Sequence, residues 1–88
     1  MKYKGKFFSA IRTSDFYGDV DATTDGNNFI IDFECKGSIA HGQSFHAELQ
    51  NGIGEFEIKI QKNTGNLING TYHDKDQIDC GWFHLVRV

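Results

Sequence analysis

The stretch Phe45–Ile60, FHAELQNGIGEFEIKI, constrains this chain more than any other, because it specifies a chain reversal and a strand register together. Asn51-Gly52 suits a two-residue type I′ turn, in which both central residues take positive φ. Folding about it sets Ala47 against Phe56 and Phe45 against Ile58 on one face, with His46 against Glu57 and Glu48 against Glu55 on the other. One face is then apolar and the other wet. A slip of one residue would turn the whole apolar set outward, so the pattern pins the pairing.

The same reasoning extends along the chain. Tyr3–Thr13 alternates as a strand, and Ser14-Asp15 predicts a tight connection to Phe16–Thr23, which sets Ile11 against Gly18 and Phe7 against Ala22. Asp25-Gly26 is a second two-residue turn signal; it predicts Ala22 against Phe29, Val20 against Ile31 and Gly18 against Phe33. Asn28–Lys36 points Phe29, Ile31, Phe33 and Cys35 inward. Lys36-Gly37 turns the chain into Ser38–Gln50, whose alternation changes phase near Gly42-Gln43, as a bend requires. Leu67–His73 places Ile68, Gly70 and Tyr72 on one face. The polar run Asp74–Asp79 reads as an exposed loop, and Cys80–Val88 as a last strand with apolar residues on both faces.

No run of 11 or more residues shows the i, i+3, i+4, i+7 recurrence of an amphipathic helix, and Pro is absent. The fold class expected is all-β: an antiparallel up-and-down meander of seven or eight short strands, forming a small closed or nearly closed barrel over residues 1–88 as a single domain. Pairing the last strand with the first would hide both edges. With 88 residues, 39% of them hydrophobic and eight of them Phe, the core rests on a few large side chains, and Phe7, Ile11, Phe16, Val20, Phe33, Phe45 and Phe56 are among those expected inside.

The tail Asn69-Gly70-Thr71-Tyr72 followed by Cys80-Gly81-Trp82-Phe83-His84-Leu85-Val86-Arg87-Val88 resembles the GTY…GxFxLxR ending of small calycin-like barrels, the broad grouping of lipocalin-like and avidin-like proteins. The likeness covers less than a quarter of the chain. It implies a barrel in which two adjacent strands pack in a set way, and no ligand residue carries over with it.

A net charge of −3 and scattered lysines argue against a phosphate-binding surface, so direct nucleic-acid binding is not expected. Neither a leader with a continuous apolar run nor a membrane span is visible, and a cytoplasmic location is expected. Cys35 and Cys80 read first as small buried hydrophobes, with a disulfide next and metal ligation third. No catalytic residues, metal ligands or cofactor are assigned.

Four candidate sites follow from this arrangement. A small apolar ligand would sit at one end of the barrel near Gly18, Gly54, Gly70 and Tyr72, where side chains are missing, although so many large inward residues favour a filled interior. The outward residues Phe8, Tyr17, Trp82, Val86 and Val88 form an apolar patch suited to a homodimer or another protein partner. Asp19, Asp21, Asp32 and Glu34 form an acidic patch, with Asp19 opposite Asp32 and Glu34 across from Tyr17; it suits solvent, a cation or a basic partner. His73 and His84 near Asp74, Asp76 and Asp79 are the remaining candidates for a metal or proton-transfer site. The function expected is a small non-catalytic binding protein that self-associates and takes a small apolar ligand. The alternatives are an acidic inhibitor of a nucleic-acid enzyme, or an enzyme with a His/Asp site.

Overall fold

Period-2 alternation along nearly the whole chain becomes eight antiparallel strands in a computed structural model that describes residues 1–11, 16–76 and 79–88. They are β1 (Lys2–Ser9), β2 (Tyr17–Asp25), β3 (Asn28–Cys35), β4 (Ser44–Glu48), β5 (Ile53–Gly54), β6 (Phe56–Asn63), β7 (Leu67–Asp74) and β8 (Cys80–Arg87). No helix occurs among the described residues. The strands form one sheet in the order β5-β4-β3-β2-β1-β8-β7-β6, curled strongly into a half-barrel. The last strand does pair with the first, with Phe7 beside Phe83 and Phe8 beside Trp82. That pairing leaves two edges, β6 on one side and β4–β5 on the other, where closure was expected to hide them.

Three registers differ from those the turns suggested, each by an even number of residues. Across β2 and β3, Ala22 faces Ile31 and Val20 faces Phe33, because the turn residues are Gly26-Asn27. Gly26 has φ of 59° and Asn27 has no positive φ, the pattern of a type II′ turn. Across β1 and β2, Phe7 faces Gly18 and Tyr3 faces Ala22; Ser14-Asp15 lies outside the described residues. Strand β1 ends at Ser9, so Ile11 falls beyond it and is 55% exposed, not in the core.

The Asn51-Gly52 reversal departs furthest. Only Gly52 has a positive φ, which rules out type I′, and Ala47 faces Gly54 after a four-residue loop. Strand β5 then breaks at Glu55, and from Phe56 the chain pairs with β7 instead of β4, so His46 never meets Glu57. The bend expected near Gly42-Gln43 is present: Gly42 has φ of 83° and β4 begins only at Ser44.

Even shifts preserve which face each residue occupies, so the core is built from the expected side chains. Phe33 lies at its centre, with ring centroids 5.1 Å from Phe7, 5.4 Å from Tyr72, 5.5 Å from Phe56 and 6.1 Å from Phe83. Most contacts are edge-to-face, the arrangement aromatic quadrupoles prefer. Tyr3, Ala22, Ile31, Ile68 and Leu85 fill the other end, and Phe45, Leu49, Ile58 and Ile60 are half-buried along the open side.

Rings of this size fit because glycines stand opposite them. Phe7 pairs with Gly18, Phe83 with Gly70 and Tyr72 with Gly81. A Cβ at Gly70 would lie 2.5 Å from the Phe83 ring, and one at Gly81 would lie 2.6 Å from the Tyr72 hydroxyl. The NGTY and CGWF segments of β7 and β8 are therefore two halves of one packing device, each supplying a ring and the glycine beneath the other's ring.

Candidate functional site

Two places on the half-barrel carry chemistry that the core does not use. The first is the convex face of the central strands. Odd residues of β1 point inward, so Phe8 points out, and the registers set it in one row with Tyr17 on β2 and Trp82 on β8. Phe8 and Trp82 have centroids 6.1 Å apart, and His84 stacks on Phe8 at the same distance. Trp82 is 46% exposed, and Tyr17, Val86 and Val88 are exposed with it. All five residues of the expected apolar patch thus lie on the outside, on or just beyond three neighbouring strands.

Beside that row, the acidic residues are arranged differently from the expectation. Asp19 faces Glu34 and Asp21 faces Asp32. Like charges directly opposite cost up to about one kcal/mol, and the chain supplies its own cations. Lys6 and Lys36 reach Asp19, Lys36 donates to Glu34 at 2.7 Å, and Lys4 lies 3.9 Å from Asp21. His46 sits between Asp32 at 2.7 Å and Glu48 at 3.1 Å. Hydrogen bonds to these two carboxylates, Asp32 first, hold its imidazole above the ordinary histidine range. The Lys6 hydrogen bond likewise lowers Asp19. The patch is a charge-paired lattice across four strands.

The second place is the end of the half-barrel beyond Phe7, where the structure overturns one expectation outright. Asp79, assigned to an exposed loop, is only 5% exposed, and its carboxylate accepts a 2.7 Å hydrogen bond from the Ser9 hydroxyl. Nearby, Tyr72 is 2% exposed and its hydroxyl has no hydrogen-bond partner among the described residues. Burial first, and the Asp79 charge second, push its phenol well above the usual range. Burial and the same carboxylate push the Cys35 thiol up to about 11. Cys35 and Cys80 are both free, the first buried and the second half-buried.

The remaining sequence candidates are dispersed. Gly18 and Gly70 lie beneath Phe7 and Phe83, and Gly54 abuts the backbone of His46 and Ala47, so these positions are covered by other atoms. Tyr72 belongs to the polar end. His84 pairs with Asn69, four residues or roughly 13 Å along β7 from His73. Among the described residues no three His, Cys, Asp or Glu side chains come together as metal ligands. The sequence placed Asp79 in an exposed loop near His73 and His84, and neither its burial nor its pairing with Ser9 was read from it. A signal for Ser9 existed: alternation with Tyr3 and Phe7 puts its hydroxyl inward, where a partner is required. Asp79 had none, being one acid among three in a polar run.

The fold and these two places define an all-β half-barrel with an exposed aromatic row and one polar end. Scans against protein-family models, curated proteins and solved structures find no match for this chain.

Proposed function

We propose that this chain is a small non-catalytic binding protein that acts as a homodimer, joined through the outer face of β1 and β8. The observation that carries the reading is the row Tyr17, Phe8, Trp82 on the convex surface, with Val86 farther along β8 and Val88 just past its end also exposed. Exposed aromatic patches of this kind mark interaction sites, and Trp and Tyr are the residues that dominate contact energies. A second copy is the occupant the charges favour. Asp19 and Asp21 on β2 adjoin Lys4 and Lys6 on β1, so the rim of the patch carries both signs and can complement itself across a two-fold axis. The same pairing weighs against an inhibitor that imitates nucleic acid, which needs unneutralised acids. The separation of His73 from His84 weighs against an enzyme built on them. A calycin-like ancestry and a ligand-holding end are compatible with this reading. Two unbridged cysteines suit a reducing compartment such as the cytoplasm, and no helix among the described residues is long and apolar enough to cross a membrane.

The test is size-exclusion chromatography with light scattering on the wild type and on Trp82→Ala. Each chain is 10.0 kDa; the expected result is a two-chain mass for the wild type and a one-chain mass for the variant. A wild type that stays at one chain throughout the micromolar range, or a dimer indifferent to Trp82, refutes the proposal.

A further inference from the structure

The polar end opens into a cleft of about 240 Å³ between the β3–β4 loop and the start of β6. One wall is aromatic: the Phe45 ring lies 5.9 Å from Phe16 and 5.2 Å from Phe56, and all three line the opening. The facing wall carries Asp74 and Asp79, held together by the Asp74 amide donating to the Asp79 carbonyl at 2.8 Å. Gln43, whose backbone amide donates a hydrogen bond to the Ala40 carbonyl at 3.0 Å, completes the rim.

Asp79 is the anomaly. Nineteen-twentieths of it is buried, it accepts one hydrogen bond from Ser9, and it forms no ion pair with any described residue. A carboxylate held out of water without a counter-charge is costly. The contrast with the outer face sharpens the point: Asp19, Asp21, Asp32 and Glu34, which water already solvates, each have a Lys or His within reach. The buried carboxylate that lines a cleft has none among the described residues.

We infer that this cleft binds a small organic cation, an alkylated ammonium head group, with Asp79 as counter-ion and the rings of Phe16, Phe45 and Phe56 around its methyl groups. Aromatic faces attract such cations electrostatically, most strongly where water is excluded. A primary ammonium directs three N–H donors outward, none of which the phenyl wall can accept, so a methyl-covered head group matches that wall better. Hard metal ions require six or more oxygens, and no metal-ligating group of three occurs among the described residues. An apolar molecule would leave Asp79 uncompensated. The volume lies below the roughly 300–1,000 Å³ of drug-sized sites, so the cleft suits a head group and not a larger ligand.

The experiment compares choline with 3,3-dimethyl-1-butanol, which has the same shape with carbon replacing the charged nitrogen. Amide shifts are followed by NMR on the intact chain, with sodium chloride as the ionic-strength control. Choline is expected to give saturable shifts at Ala40–Gln43, Asp74 and Cys80, and the neutral isostere to bind at least tenfold more weakly. Asp79→Asn should weaken choline by a similar factor while leaving the isostere unchanged. If that variant fails to fold, the wild-type comparison and Phe45→Leu, which should weaken choline several-fold, decide the matter. Equal affinity for the two compounds, shifts that sodium chloride reproduces, or no saturation up to roughly 50 mM would overturn the inference. None of these readouts depends on whether the chain is a dimer.

Discussion

Replacing Phe33 with Leu tests whether the core is organised around one ring. Leu keeps most of the apolar surface, so the change removes mainly edge-to-face contacts and leaves a small void. Phe33 makes four ring contacts, three of them edge-to-face, at centroid distances of 5.1 to 6.1 Å. Each aromatic pair is worth about 0.5–1.5 kcal/mol beyond its burial. At the lower figure, to allow for non-additivity, the loss is about 2 kcal/mol. Phe45 supplies the comparison: it is half-buried at the open side and has two ring neighbours, Phe16 and Phe56, so the same substitution there should cost about 1 kcal/mol. In a domain of this size one kcal/mol moves the melting temperature by roughly 4–8 °C. Phe33→Leu should therefore melt roughly 8–16 °C below the wild type, and Phe45→Leu roughly half as far below. Urea titration at constant temperature, followed by circular dichroism, gives the free energies directly. A Phe45→Leu loss equal to or larger than that of Phe33→Leu would show that the centre of the packing lies elsewhere.

Two glycines should fail for different reasons. Gly26→Ala has open space but a φ of 59°, so it should cost about 1 kcal/mol and Gly26→Asn much less, whereas at Gly70 the Phe83 ring blocks every side chain and both substitutions should cost more than 2 kcal/mol, as overpacking does (~1–3 kcal/mol); equal tolerance at the two sites in urea melts would contradict this. With its thiol raised to about 11 by burial, Cys35 should resist Ellman's reagent at pH 8 while half-buried Cys80 reacts, giving one fast thiol per native chain and two in guanidinium; two fast thiols in the native protein would mean that β3 is not buried as described. The raised His46 value means that its contribution to stability is fully present below the unfolded histidine pKa near 6.5 and fades as pH rises through the folded one. Because the ring is about half exposed the effect on melting is small, so the sharper measurement is the NMR titration of His46, which should fall toward the ordinary value in Asp32→Asn and would count against the pairing if it did not.

Face assignment was legible in the sequence, and register was not. Phe29, Ile31 and Phe33 were placed inward with the wrong partners, because side-chain direction depends only on whether a shift is odd or even. The partners depend on which two residues occupy the turn. Asp25-Gly26 and Gly26-Asn27 are both plausible turns, and choosing between them moves every pair by two without exchanging faces. Asn51-Gly52 misled for a related reason: its signal is local, while β6 finds a better-matched partner in β7, where Ile58 meets Tyr72 and Ile60 meets Gly70. Ile11 was misplaced because apolar character alone does not say where a strand ends. The outer patch Phe8, Trp82, Val86 and Val88 was readable once β8 was set beside β1. The Ser9–Asp79 bond was not, since it joins residues 70 apart, one at the end of β1 and the other just before β8.

The spatial order of the strands is a rotation of their order along the chain. β1 and β8, farthest apart in sequence, are mid-sheet neighbours, and the Val88 amide bonds the Lys2 carbonyl at 3.0 Å. The covalent path is therefore continuous where the sheet is open, at Gly54–Phe56, whereas β1 and β8 meet in mid-sheet only through hydrogen bonds. A chain joined from residue 88 to residue 1 and cut at Glu55 would place every strand next to its successor. Such a permutant lowers the contact order of the fold and should reach it faster, since its central pair would no longer wait for the last strand to be made.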